Sequence, residues 1–254
     1  MSILVSGSLL SEENKEIRLV TKKALVNGYG AEKFESISFH LIAGETDFMV
    51  PYYANIVKSN FDILSHRPFP ILCVMGNHKK KYDMSEKREI DIGIGETVYQ
   101  IQDKPFVAYL KRGKVYNMDG FKFLVLGGAP SFRLKSEQPC ITWTEQEKAD
   151  LFNLLETDTN FDFVLSQVGP YQINSLVYDL LAPDKERDEV AFFNDTVNEK
   201  INFHTWICSH YFRDGYFCKK KNEKAYLYLI ESTRIIERNK GMVVFQREEK
   251  VVTK

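Results

Sequence analysis

Within the first 76 residues, short apolar runs alternate with longer periodic stretches, and that order leaves few folds open. SILVS occupies 2–6, a helical stretch runs from about Ser11 to Val26, ISFHLIA fills 37–43, a second helical stretch covers 52–65, and PILCVM fills 70–75. In the first helical stretch Ile17, Val20, Leu25 and Val26 recur at helical spacing among charged residues, as an amphipathic helix requires. Strand, helix, strand, helix, strand is a βαβαβ unit. Two parallel strands need a crossover of about a dozen residues or more, which a helix supplies, so the pattern predicts a parallel sheet.

After about residue 98 the texture changes. Runs at 106–110 and 114–117 lead to Met118-Asp119-Gly120 and then FKFLVLGG. Asp-Gly between two apolar runs is a strong hairpin signal. Thr144-Glu145-Gln146-Glu147 reads as a capping box opening a helix through Ala149, Leu151, Leu154 and Leu155. A strand is expected at 162–166, a helix at 187–199 and a strand at 204–208. AYLYLIES and GMVVFQ near the end read as antiparallel strands. Nothing resembling a linker or repeat interrupts the 254 residues, so 1–254 reads as one domain.

Composition narrows the class. Hydrophobic residues are 44% and charged residues 27% of the chain, the balance of a globular protein with a full core. Thirty-four Lys+Arg against thirty-five Asp+Glu give a net charge of −1, which argues against bulk recruitment of nucleic acid or anionic membrane while leaving local basic patches open. The N-terminus lacks the basic and apolar regions of a leader, and no apolar run approaches the ~20 residues that span a bilayer. The four cysteines, Cys73, Cys140, Cys208 and Cys218, show no paired spacing. Reduced thiols and a cytoplasmic location are the expectation.

In α/β sheets ligands bind beyond the carboxyl ends of the strands. The loops there are Ser6-Gly7-Ser8-Leu9-Leu10, Gly44-Glu45-Thr46-Asp47, Gly76-Asn77-His78-Lys79, Ser166-Gln167-Val168-Gly169-Pro170 and Ser209-His210-Tyr211-Phe212. GNH after a strand, a later S-x-x-x-P strand end and a late S/G-H, with the hairpin KVYNMDGFKFLVLGGAP, resemble the calcineurin-like metallophosphoesterase family in its small bacterial and phage-type form. The resemblance spans nearly the whole chain. It implies a four-layer α-β-β-α sandwich of two mixed β-sheets.

It also implies a chemistry: two divalent cations about 3.5–4 Å apart that clamp a phosphate and activate water. The family pattern is D-x-H, G-D, G-N-H, a lone His and G-H-x-H on successive loops. Carried over by position, the first Asp matches Ser8, its His matches Leu10, and the bridging Asp matches Glu45. Asn77 and His78 are kept, the lone His matches Gln167, His210 is kept, and the final His matches Phe212. Three of these eight positions keep their identity. The first metal position loses three of four ligands, and apolar Leu10 and Phe212 cannot offset the dehydration of a divalent cation.

The expectation is therefore a degenerate site that binds a phosphorylated or polyanionic ligand, or a partner, without ordinary two-metal hydrolysis. Asn77, His78, His210 and Lys79 would line it, with no cofactor. The alternative is a residual phosphoesterase with one weakly bound Mn²⁺, Mg²⁺ or Ca²⁺ held by Glu45, Asn77, Gln167 and His210, His78 assisting catalysis. Asp47 is a stand-in carboxylate in that reading. Lys79-Lys80-Lys81 and Lys219-Lys220-Lys221 would focus positive potential if their loops converge, and otherwise are solvated. Nucleic acid is not excluded as a ligand; a membrane is not expected. His40, His66 and His204 fit no ligand spacing and read as structural. Ser8 lacks a recognisable His partner as a nucleophile. Ser6-Gly7-Ser8 could cradle an anion at a helix start, as many strand-to-helix turns can.

Overall fold

The computed structural model describes residues 1–8, 20–44, 46, 62, 64–65, 67–76, 87–128, 143–177, 189–209, 215–218, 224–229, 232–239 and 242–247, with backbone alone at 176–177, 239 and 242–247. The first sheet contains β1 (Ser2–Ser6), β2 (Ile37–Ile42), β3 (Ile71–Cys73), β4 (Arg88–Ile90), β5 (Val98–Gln102), β6 (Val107–Leu110), β13 (Thr233–Asn239) and β14 (Met242–Arg247), in the order β14-β13-β1-β2-β3-β6-β5-β4. The second contains β7 (Lys114–Met118), β8 (Phe121–Leu126), β9 (Asn160–Ser166), β10 (Asn202–Cys208), β11 (Gly215–Cys218) and β12 (Ala225–Tyr228), in the order β11-β12-β10-β9-β8-β7. Each has a parallel centre, β1-β2-β3-β6 and β12-β10-β9-β8. Antiparallel strands complete the edges.

The period-two alternation of strands sets the layers. Ile3, Val5, Leu41, Leu72, Val74, Ala108 and Leu110 of the first sheet pack against Phe123, Val125, Phe163, Leu165, Ile207 and Leu227 of the second. The opposite faces also carry apolar residues. Leu4 and Ile235 pack with Leu25 of α1 (Lys22–Tyr29) and Phe34 of α2 (Ala31–Glu35). On the second sheet Leu124, Val164, Trp206 and Tyr228 pack with Leu151 and Leu155 of α3 (Glu145–Thr157), Ile173 of α4 (Tyr171–Val177), and Val190 and Val197 of α5 (Glu189–Lys200). Helices outside two facing sheets make the α-β-β-α sandwich.

The Asp119-Gly120 hairpin forms: Met118 faces Phe121 across the ladder, and Asp119 and Gly120 take φ of 51° and 76°. Positive φ at both central positions is the turn whose twist matches the strands. The Thr144 cap also forms, its hydroxyl accepting from the Glu147 N–H at 3.2 Å while the Glu147 carboxylate accepts from the Thr144 N–H at 2.8 Å.

Other expectations fare differently. Of the helix expected from Ser11 to Val26, residues 11–19 lie outside the described residues. The described helix is α1, which starts after the Thr21 cap and runs on to Tyr29. The helix at 52–65 lies almost entirely outside them. The 106–110 and 114–117 runs enter different sheets. The strand of AYLYLIES is parallel to β10 and antiparallel only to β11, because it closes a crossover from β10. Strands β4, β5 and β13 lacked a clear apolar alternation and were not anticipated. No described helix is long and apolar enough to cross a membrane.

One histidine gives the fold a pH response. His40 on β2 is fully buried, and burial, with the adjacent Arg67 cation, holds its pKa well below the usual value. Above about pH 6.5 the ring is neutral whether the chain is folded or unfolded; below it the unfolded chain gains a proton that the folded chain refuses. Stability therefore falls as pH drops from about 6.5, and His40→Gln flattens that slope in urea melts taken between pH 7.5 and 5. Thr144→Ala costs about 1 kcal/mol in the same assay through loss of the cap.

Candidate functional site

The carboxyl ends of the parallel strands from both sheets meet on one side of the sandwich. Two contacts join them. Ser8, beyond β1, places its Oγ 3.3 Å from the Oγ of Ser209, beyond β10. Met75, beyond β3, accepts at its carbonyl from the Gly128 N–H beyond β8 at 2.9 Å. Gly44, beyond β2, lies under the first contact: a Cβ there would sit 2.3 Å from Ser8 Oγ, 2.4 Å from Ser8 N and 2.6 Å from Ser209 Oγ. Gly127 supports the second, where a Cβ would come 3.3 Å from Met75 Cβ and 3.4 Å from Arg112 Cβ.

The loop after β9 is held through successive carbonyls. Gln167 O accepts from the Ser209 N–H at 2.9 Å. Val168 O accepts from Asn194 Nδ2 at 2.8 Å and Ser166 Oγ at 2.7 Å, and Gly169 O accepts from Asn174 Nδ2 at 2.9 Å. Trp206 Nε1 donates to Ser166 Oγ, and the Tyr228 hydroxyl donates to Asn174 Oδ1. Bonds to three successive carbonyls hold the loop backbone in place. Gln167, 1% exposed, is thereby fixed at the strand end.

Two further anchors flank the loops. The Thr46 hydroxyl meets the Tyr109 hydroxyl at 2.6 Å, pinning the residue after Glu45 onto β6. Arg112, after β6, reaches both Glu147 oxygens, Nε at 2.6 Å and Nη2 at 2.7 Å, and lies over the Trp143 ring at 5.4 Å. Burial raises the Glu147 carboxyl pKa, but Arg112 and Thr144 outweigh it and the net shift is downward. Burial drives the Cys73 and Cys208 thiols well above the usual range, so neither is a nucleophile at neutral pH. Cys73, Cys208 and Cys218 carry no disulfide.

Of the expected site residues, Ser8 and Gln167 are described, and they are brought to the same cluster of strand ends through Ser209. Leu10, Glu45, Asn77, His78, Lys79, His210 and Phe212 lie outside the described residues, as do Asp47, His66, Cys140 and the remaining lysines of both runs. His40 bonds to Ser6 and Arg67, and His204 packs near Phe163 and Thr205. Among the described residues no three His, Cys, Asp or Glu side chains gather. Tyr109, Arg112, Asn174 and Asn194 shape the site and were not singled out from sequence, while Ser209 and Thr46 stood in the strand-end loops without a role assigned to them. Only the capping box touching Arg112 left a readable trace.

No protein-family model matches the sequence, and no curated protein does. Solved structures do. One crystal structure aligns over 98% of this chain and 99% of its own, with a TM-score of 0.59 and 10% identity. TT1561 of Thermus thermophilus aligns over 97% and 98%, with a TM-score of 0.51 and 12% identity. What they share is the sandwich fold. A novel archaeal phosphodiesterase aligns over 97% and 99% at a TM-score of 0.39 and 9% identity. At such identities the likeness is one of architecture.

The family resemblance read in the sequence would place divalent cations at these strand ends. At the first metal position the described donors are two neutral hydroxyls, Ser8 and Ser209, in contact with one another. Neutral hydroxyls without a carboxylate or imidazole do not fit a hard dication. At the second position Gln167 offers a neutral amide oxygen, a weak ligand that fits only in company with charged ones.

Gly44→Ala is expected to destabilise the protein by about 2 kcal/mol or more, because its Cβ meets the Ser8 backbone nitrogen. Adding Ser8→Ala does not restore the loss, since that nitrogen remains. Urea unfolding of the single and double variants reads both.

Proposed function

We propose that this chain uses the phosphoesterase-like fold to bind a phosphorylated or polyanionic ligand, or a partner carrying one, without two-metal hydrolysis. The observation that carries this reading is the hydroxyl pair of Ser8 and Ser209 at the strand ends where charged metal ligands would be needed. The described donors there are neutral, and neutral hydroxyls alone do not offset the lost hydration of a dication. In this reading Asn77, His78 and His210 face the ligand, and the lysine runs 79–81 and 219–221, adjacent in sequence to those loops, supply the attractive potential.

A second reading has one observation in its favour. Gln167 is held at the strand end by a loop whose successive carbonyls are bonded, as a ligand must be. One Mn²⁺, Mg²⁺ or Ca²⁺ on Glu45, Asn77, Gln167 and His210 would then polarise a phosphoryl oxygen, with His78 giving a proton to the leaving oxygen.

Protein purified without chelator is assayed for metal and for turnover of bis- and mono-p-nitrophenyl phosphate with added Mn²⁺. The binding reading expects no turnover, and binding of ATP or a short oligonucleotide that weakens at least about tenfold between 50 and 200 mM salt. Glu in place of Lys79, Lys80 and Lys81 should weaken it further. Near-stoichiometric metal, with turnover lost in His78→Ala, establishes the second reading instead. Absence of both binding and turnover at low salt removes both.

A further inference from the structure

Arg67 lies between the second helical stretch and β3, on the outer face of the first sheet. It is 8% exposed, and its guanidinium sits 5.6 Å from the Phe69 ring centroid. Nη1 donates to His40 Nδ1 at 2.6 Å. A guanidinium only donates, so Nδ1 accepts and the imidazole proton is on Nε2, 2.8 Å from Ser6 Oγ. The other edge of the guanidinium is bare: Nε and Nη2 are buried and have no hydrogen-bond partner among the described residues.

Those two atoms form the parallel two-donor fork that matches a carboxylate or phosphate. The same protein shows the fork filled. At Arg112, Nε and Nη2 each take one oxygen of Glu147. Arg67 presents the same two donors, and no described residue supplies their acceptor. A buried cation with two unmet N–H groups is among the costliest arrangements in a protein interior, and burial alone pushes this guanidinium down to about 9. His40 cannot offset the charge, being neutral.

We propose that the Arg67 fork is a buried oxyanion site, taking up a small two-oxygen anion, free phosphate or a carboxylate such as acetate, as the chain folds. The anion would bridge Nε and Nη2. Through Nη1 the same guanidinium fixes the His40 tautomer that donates to Ser6, the last residue of β1 before the Gly7-Ser8 turn. The site is separate from the strand-end loops and stands whether or not they bind a phosphorylated ligand.

The test refolds the full chain from urea at pH 7.5 and fixed ionic strength in chloride, phosphate, sulfate or acetate, and follows the melting midpoint with anion concentration. Wild type is expected to gain several degrees, saturably, in phosphate or acetate over chloride. Response to phosphate and sulfate alone marks a tetrahedral ion; response to acetate marks a carboxylate. Arg67→Lys keeps the charge and one donor to His40 but not the fork, so its half-saturation should move up at least about tenfold. His210→Ala should leave the response intact, separating it from ligand binding at the loops. ³¹P NMR of refolded wild type should show a bound, slowly exchanging phosphate if phosphate is the ion, which reads the site even if Arg67→Lys does not fold. No anion-specific gain in wild type, or an undiminished response in Arg67→Lys, overturns the proposal.

Discussion

Central strands here are apolar on both faces, and the rest of the architecture depends on it. Every residue of β1, β3, β6 and β12 is buried. Such strands cannot leave a backbone N–H or C=O facing solvent, so each must sit between two neighbours, and each face must be covered. One face of each sheet is covered by the other sheet. The second is covered by helices, as with Leu151 and Leu155 under Trp206 and Val164. With both demands met, the parallel strands of the two sheets end on the same side, and their loops have no choice but to meet there.

That logic explains what was readable in advance. The βαβαβ opening was legible because β-branched and apolar runs of strand length alternate with a 3.6-residue period. The hairpin at Asp119-Gly120 and the Thr144 cap were legible because both depend on residues three or fewer apart. Strand β13, TRIIERN, was hidden: it is apolar only at Ile235 and Ile236, and its partner β1 lies at the other end of the chain. The direction of β12 was misread for a related reason. A tyrosine-rich run looks the same in either orientation, and only the crossover from β10 decides it.

At the site, the sequence disclosed which positions had changed but not what the changes make. Ser8 reads in isolation as a missing carboxylate. In three dimensions it is one side of a contact whose other side is Ser209, about two hundred residues away, with Gly44 as the floor. Gln167 likewise reads as a lost imidazole, whereas its loop is held by Asn174, Asn194 and Ser166, side chains that serve as backbone in a place where strands have ended. Arg67 left no pattern at all, since a buried arginine and a solvated one look alike in a Pro-flanked loop. Depth, not spacing, gives it meaning.

The pairing of β1 with β13 sets Ile3 beside Ile236. In chain order β1 precedes β13 by more than two hundred residues, so one edge of β1 stays uncovered until β13 is made. Until then a strand destined for full burial carries an open row of donors and acceptors, the arrangement most inclined to recruit a foreign strand. Closing that edge is accordingly a long-range event, whereas β1 to β6 on the same sheet, and β7 to β10 on the other, find their partners among near neighbours in sequence.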